Sequence, residues 1–190
     1  MHSRRAFLAG SAMLLAAPWA GAVEAHAWNR LRKGGLVILM RHAATIGGVG
    51  DPEGFRLGDC ATQRNLSEEG RAHARRIGER FRAERVPLAQ VYTSPWCRCR
   101  DTAVLAFGHA EDWTPLSSIF DHPHEEREFS ERVRNRIGTY SGRKPAGNVV
   151  MVTHNVNIAA LSKHSVAPGE MVLMRPDGCC GAKPMERLLV

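Results

Sequence analysis

Two stretches of this chain, Leu36-Val37-Ile38-Leu39-Met40 and Val149-Val150-Met151-Val152-Thr153, are apolar almost without interruption. A strand with one wet face alternates apolar and polar residues, whereas a strand covered on both faces does not. The chain must therefore build a sheet sandwiched between helices. Gln90-Val91-Tyr92-Thr93 and Met171-Val172-Leu173-Met174 add two more strands, and Glu186 to Val190 an edge strand. Between them lie helices. Ser67 stands before Glu68-Glu69 as an N-cap with acid in the first turn. Ala74, Ile77 and Phe81 then follow at helical spacing, and Pro87 limits the segment. Cys97 to Leu105 reads as a second helix after Ser94-Pro95, and Asn155 to Leu161 as a third. Strands alternating with helices predict an α/β, three-layer sandwich with a mostly parallel central sheet and helices on both faces. Residues 46–62 and 107–147 carry no clear strand pattern, and no internal repeat is present.

Size and composition agree with one such domain. The chain has 190 residues, of which 44% are hydrophobic and 24% charged, which excludes a disordered tail, a collagen-like rod and a multi-span membrane protein. Twenty-six Lys and Arg against 19 Asp and Glu give a net charge of +7, which favours anionic partners such as phosphate esters, nucleic acid or a lipopolysaccharide surface. The run of Arg71, Arg75, Arg76, Arg80, Arg82 and Arg85 is relieved by Glu79 and Glu84 and carries no interleaved aromatic. It reads as a solvated face with the option of contact with an anionic cell envelope, and not as a nucleic-acid surface.

The first residues form an address. Arg4-Arg5 precede a mostly apolar run from Ala6 to Ala20, too short to span a bilayer comfortably, and small residues follow. Ala20-Gly21-Ala22 and Ala25-His26-Ala27 are the candidate cleavage sites. Ser3-Arg4-Arg5-x-Phe7-Leu8 resembles a twin-arginine signal, which implies the twin-arginine export machinery and a periplasmic or otherwise exported protein. An uncleaved anchor or a general secretion signal are the alternatives. Residues 1–27 are thus expected to be a signal and 28–190 a single domain. Export permits disulfides among the five cysteines, Cys60, Cys97, Cys99, Cys179 and Cys180. Cys60 with Cys97 or Cys99 is the favoured bridge. The vicinal Cys179-Cys180 pair is difficult to close without strain.

Each of the three inner strands runs directly into chemistry. The first ends at Arg41-His42, the second at Ser94-Pro95-Trp96-Cys97-Arg98 and the third at His154-Asn155. In a parallel sheet these ends share one edge, where ligands of α/β proteins bind. Two Arg forks, two His and two helix N-termini around one pocket suit a phosphoryl group. A neutral His among them can attack phosphorus and form a phosphohistidine. The surrounding cations would stabilise the transferring group, so no metal and no cofactor are implied. His122-x-His124-Glu125-Glu126 reads as a solvated loop, since no further metal ligand accompanies it.

These residues resemble a known family. Leu39-Met40-Arg41-His42-Ala43-Ala44-Thr45 looks like the Arg-His-Gly signature of the histidine phosphatase superfamily, whose fold is the phosphoglycerate mutase-like one. Ser94-Pro95-x-x-Arg98-x-x-x-Thr102-Ala103, Val150-Met151-Val152-Thr153-His154-Asn155 and the helix start Asn65-Leu66-Ser67-Glu68-Glu69-Gly70 are similar to its other motifs. Each alone is weak; together and in order, across residues 35–175, they are specific. The resemblance implies that His42 is the nucleophile and that Arg41, Arg98 and His154 cradle the phosphoryl oxygens. It implies phosphate contacts for Thr45 and the backbone N–H of Asn155. Ala43, Ala44 and Gly48 depart from residues common in the family, which puts a mutase-type substrate pocket in doubt but not the phosphate core. The general acid is expected at Asp121, with Glu125 or Glu126 as alternatives, and with the further alternative of no such acid, as in short relatives that act on good leaving groups. The implied activity is that of an exported, metal-independent phosphatase acting on a small phosphomonoester, with a cell-envelope sugar phosphate as candidate substrate. A non-catalytic phosphate-binding module of the same fold is the alternative, and a phosphomutase is a further one.

Overall fold

The computed structural model describes residues 19–142, 146–178 and 181–190. The twin-arginine motif and the Cys179-Cys180 pair lie outside these residues. Six strands form one sheet: β1 (Val37–Arg41), β2 (Leu88–Thr93), β3 (Glu111–Asp112), β4 (Asn148–Thr153), β5 (Met171–Asp177) and β6 (Gly181–Leu188). Their order is β3-β2-β4-β1-β5-β6. The β1–β4, β4–β2 and β2–β3 pairings are parallel, and β5 and β6 add an antiparallel edge. Five helices cover it: α1 (Trp19–Lys33), α2 (Glu68–Ala83), α3 (Cys97–Phe107), α4 (Glu126–Gly138) and α5 (Asn155–Ser162).

The uninterrupted apolar runs do what their composition requires. Ile38, Met40, Val150 and Val152 face one core with Trp28, Leu31, Ile77, Phe81 and Ala103, from α1, α2 and α3. Their neighbours Val37, Leu39, Val149 and Met151 face the opposite core with Val133, Ile137 and Ile158, from α4 and α5. Alternate side chains of one strand thus feed two cores, and every residue from Val37 to Met40 is buried. This is the predicted three-layer arrangement with a mostly parallel sheet.

Helix α2 starts as its sequence directs. Ser67 Oγ accepts from the Gly70 N–H at 3.0 Å, while the Ser67 N–H donates to the Ala44 carbonyl at 3.1 Å. A Cβ at Gly70 would stand 1.9 Å from that same carbonyl, so the helix can approach the segment after β1 only with glycine there. The cap therefore docks α2 onto the residues that follow the first strand.

The sequence reading differs at three places. β6 begins at Gly181, well before the expected Glu186, and pairs with β5 along its length. Its residues are mostly half-exposed, so no apolar run marks it. β3 is two exposed residues hydrogen-bonded at the end of β2. Residues 19–33 form one continuous helix, in which the Ala27–Trp28 junction lies inside the buried face of Ala27, Trp28 and Leu31.

Candidate active site

The ends of β1, β2 and β4 meet at a cavity of about 240 Å³. Arg41, His42, Arg98, His154, Asn155 and Asp121 all line it. The sequence had assigned these six residues to one site, and the structure brings them together. β1 delivers Arg41 and His42, whose backbone N–H continues the sheet by donating to the Thr153 carbonyl at 3.0 Å. The first turn of α3 supplies Arg98, and His154 is the N-cap of α5.

His42 is oriented by its own neighbour. Its Nδ1 lies 2.8 Å from the Ala43 carbonyl, which can only accept, so Nδ1 carries the hydrogen and Nε2 holds the lone pair. Ala43 is in turn pinned, because its N–H donates to Thr102 Oγ1 at 3.0 Å. The threonine of the second motif thus ties α3 to the nucleophile's support. Burial lowers the His42 pKa to about 3, with the charges of Arg98, Arg41 and Arg64 acting in the same direction against the Ala43 bond. The ring is neutral at physiological pH.

His154 stands beside it, ring centroids 5.5 Å apart. Burial, then His42 and the three arginines, push its pKa well below the usual value. Its Nε2 lies 2.9 Å from Ser94 Oγ, which also accepts from the Trp96 N–H at 3.4 Å. Ser94 Oγ and Nε2 share one hydrogen, and the ring tautomer sets which of them donates it. The buried thiol of Cys99 sits 3.6 Å from the same nitrogen, and burial raises its pKa to about 12. It is a neutral packing group.

Three guanidiniums surround the two rings, and each is held by Nη1. Arg41 Nη1 donates to the Val166 carbonyl at 2.6 Å. Arg64 Nη1 donates to Thr45 Oγ1 at 2.7 Å and to the Gly48 carbonyl at 2.9 Å. Arg98 Nη1 donates to both oxygens of Asp51, at 2.7 and 3.0 Å. In all three the Nε has no partner among the described residues. Cations anchored on one edge and unmatched on the others make an anion site. The first turn of α5, with Asn155 and Val156 on the cavity wall, adds backbone N–H groups.

Asp51, Arg64, Ser118 and Phe120 also line the cavity, and the sequence reading missed all four. Thr45, expected to touch phosphate, does not line it; its hydroxyl braces Arg64 instead. The Asn155 side chain is occupied elsewhere. Its Oδ1 accepts from the Val166 N–H at 2.8 Å and so steadies the carbonyl that anchors Arg41. Glu125 and Glu126 fall outside the cavity wall, whose two carboxylates are Asp51 and Asp121. Burial raises the Asp51 pKa, but bonds from Arg98, Arg64 and Trp96 outweigh this and hold it below the usual carboxylate range. Asp51 is therefore an anion with no proton to give. Cys60 and Cys97 form a disulfide, one of the two pairings expected, and it fastens the segment after Asp51 to the first residue of α3. Among the described residues no three His, Cys, Asp or Glu side chains converge as a metal site.

A buried neutral histidine with Nε2 free, a second histidine and three arginines around one cavity at the ends of parallel strands suit an α/β domain that handles phosphoryl groups. Residues 37–119 match the histidine phosphatase superfamily (branch 1). Among solved structures it is similar to phosphoserine phosphatase from Entamoeba histolytica in complex with 3-phosphoglyceric acid, with TM-score 0.58, 12% identity, and 82% of this chain and 97% of that one covered. It is also similar to phosphoglycerate mutase from Thermus thermophilus, at TM-score 0.54, 19% identity and coverage of 82% and 99%. The protein histidine phosphatase SixA complexed with tungstate aligns at TM-score 0.53, 14% identity and coverage of 80% and 96%. No curated protein sequence matches the chain. These likenesses concern the fold; the chemistry rests on the cavity itself.

Proposed function

We propose that the protein is an exported phosphatase that hydrolyses a small phosphomonoester through a phosphohistidine at His42. The observation that carries this reading is the His42 Nδ1–Ala43 carbonyl bond, which leaves Nε2 unprotonated inside a ring of three arginines. Nε2 attacks phosphorus, the P–O ester bond breaks, and the leaving oxygen takes its electron pair. Arg41, Arg64 and Arg98 stabilise the equatorial oxygens, and the His154 ring stands beside them as a further polar contact. The Ala43 carbonyl stabilises the positive charge that the imidazole ring acquires. Asp121, the cavity carboxyl free of an arginine clamp, is positioned to protonate the leaving group. Water then displaces phosphate from His42 and regenerates the free ring.

Beyond the phosphate the wall turns apolar. Val49, 86% exposed, and Phe120, 51% exposed, flank the mouth. An aromatic face there suits the apolar face of a sugar, so a cell-envelope sugar phosphate is the substrate class we favour. Export accords with the Cys60–Cys97 disulfide, a bond that persists in oxidising compartments.

Phosphate release from an activated aryl phosphate by the full chain, beside His42→Ala, tests the reaction. The expected result is turnover that resists chelator and falls by about a thousandfold or more in His42→Ala. Activity surviving in His42→Ala overturns the assigned nucleophile. Phosphate binding without turnover by the wild type would make the protein a binding module.

A further inference from the structure

Asp51 belongs to none of the four short motifs that carry the family resemblance, although it lies within the matched residues 37–119, and its carboxylate is bound on all sides. It takes Arg98 Nη1 with both oxygens, the Arg64 N–H at 2.9 Å and the Trp96 indole N–H at 3.0 Å. The pair is sealed, with the Arg98 and Asp51 side chains 4% and 3% exposed. Two of these donors are themselves fixed. The Arg64 amide belongs to the backbone, and the Trp96 ring packs edge-on against His154 with centroids 5.4 Å apart. Gly50, at φ +70°, makes the turn that brings Asp51 inward. The Cys60–Cys97 disulfide closes the same segment onto α3.

Such a group is costly in an anion site. A carboxylate beside Arg98 cancels part of the charge that attracts phosphate, so it works against ground-state binding. What it supplies is direction. With Nη1 held by two oxygens, the guanidinium plane is fixed and its remaining donors face one way. Arg41 and Arg64 are anchored by neutral oxygens, which fix them without neutralising them.

We propose that Asp51 is a positioning residue that aims the Arg98 guanidinium at the phosphoryl group during transfer. It touches no reacting atom and acts through Arg98. The inference rests on the phosphatase reading above and adds to it a residue that the family motifs do not include. It separates two effects that a merely structural residue would not separate. Removing the charge relieves repulsion of bound phosphate, while removing the bonds frees Arg98 and weakens the transition-state contact.

The test compares the full-length wild type with Asp51→Asn and Trp96→Phe. The second variant keeps the carboxylate and removes one of its fixed donors. Three quantities are read: kcat on an aryl phosphate, the inhibition or dissociation constant of inorganic phosphate, and the Arg98 side-chain N–H resonances in a 15N spectrum. In Asp51→Asn, kcat should fall by about tenfold or more, with phosphate affinity unchanged or tighter. Trp96→Phe should shift kcat in the same direction by less. The Arg98 Nη–H resonances should be resolved in the wild type and collapse in Asp51→Asn as the guanidinium rotates freely. An unchanged kcat overturns the proposal. So does a joint rise of KM and phosphate constant with kcat held, since that marks Asp51 as a piece of wall. A wild type that binds phosphate without turnover defeats the phosphatase reading alone. The resonances then decide this one: collapse in Asp51→Asn supports it, and persistence overturns it.

Discussion

The floor and the rim of the cavity are built on different principles. The floor is backbone register: Arg41 and His42 leave β1 at the point where β4 delivers His154, because Arg41 pairs with Thr153 in the parallel ladder. His42 is then fixed by the adjacent Ala43 carbonyl, while Arg41 and His154 lean on Val166 and Ser94 from neighbouring elements of the same edge. The rim is long-range and made of side chains. Asp51 reaches 47 residues along the chain to Arg98, and Cys60 reaches 37 to Cys97. Asn157 holds the opposite wall by donating to the Ser117 carbonyl at 2.7 Å. A floor set by strand pairing cannot shift without unfolding the sheet, whereas a rim set by a few cross-links can be altered while the sheet stands. The floor should therefore govern the nucleophile and acid sensitivity; of the rim's cross-links, Asp51 reaches the chemistry through Arg98, and the others set the stability of the loops and the choice of substrate.

Breaking the staple of the rim is the strongest challenge to that division. Cys60→Ser opens a 37-residue loop. The chain-entropy relation puts the loss of stability at about 3–4 kcal/mol. Urea unfolding should show it as a lower midpoint, and reductant should have no further effect on the variant. The folded fraction should keep its kcat within about threefold, because Asp51 retains its own four bonds. A loss of kcat as large as that of Asp51→Asn would mean that floor and rim are one unit.

The floor is challenged by acid. His42, at about 3 when folded, and His154, pushed well below its usual value, both stay neutral where the unfolded chain titrates near 6.5. Below 6.5 the unfolded state binds protons that the folded state refuses, so stability falls as pH drops toward the folded values. Tm should decline from pH 7 to pH 4, and His42→Ala should flatten part of that decline. Over the same range kcat/KM should show no acid limb near 6.5, since the nucleophile remains deprotonated. A limb at 6.5 that does not follow the substrate's own titration would overturn the neutral buried His42.

The same contrast explains what could be read in the sequence. The floor was legible because a strand buried on both faces writes itself as an apolar run, and the residue after each run is by construction at the sheet edge. Arg41, His42 and His154 follow from that position, whereas Arg98, in the first turn of α3, was singled out by the motif resemblance together with the strand end before it. Asp51 and Arg64 were not legible, since no periodicity marks a loop and their partners lie far along the chain. Thr45 was misplaced for a related reason: adjacency to the motif suggested phosphate, while the bond it makes depends on where Arg64 folds back. β6 escaped because a half-exposed antiparallel edge needs no continuous apolar face. At the other end of the chain, the apolar run after Arg4-Arg5 raised the expectation of a cleavable address, while the fold places Ala27, Trp28 and Leu31 in the core. Of the two candidate cleavage sites, the one after Ala22 leaves that buried face whole.

The smallest effect belongs to the outermost residue. Phe120 is half-exposed beside the mouth, and a Cβ on Gly50 would lie 3.6 Å from its ring. Its backbone is held independently, with the Phe120 N–H donating to Ser118 Oγ at 3.3 Å, so truncating the ring leaves the wall in place. Phe120→Ala removes apolar contact with the leaving group but touches none of the cations. KM for a phosphomonoester with a ring-shaped leaving group should rise by about three- to tenfold, the range of one apolar contact in a partly open site. The kcat and the inhibition constant of inorganic phosphate, which reaches no further than the floor, should stay the same. Equal loss with phosphate itself would place Phe120 in the floor's business and break the division; loss confined to bulky esters would locate specificity at the rim. The ratio of the two effects across a graded series of esters then measures how far the substrate extends beyond the phosphoryl group.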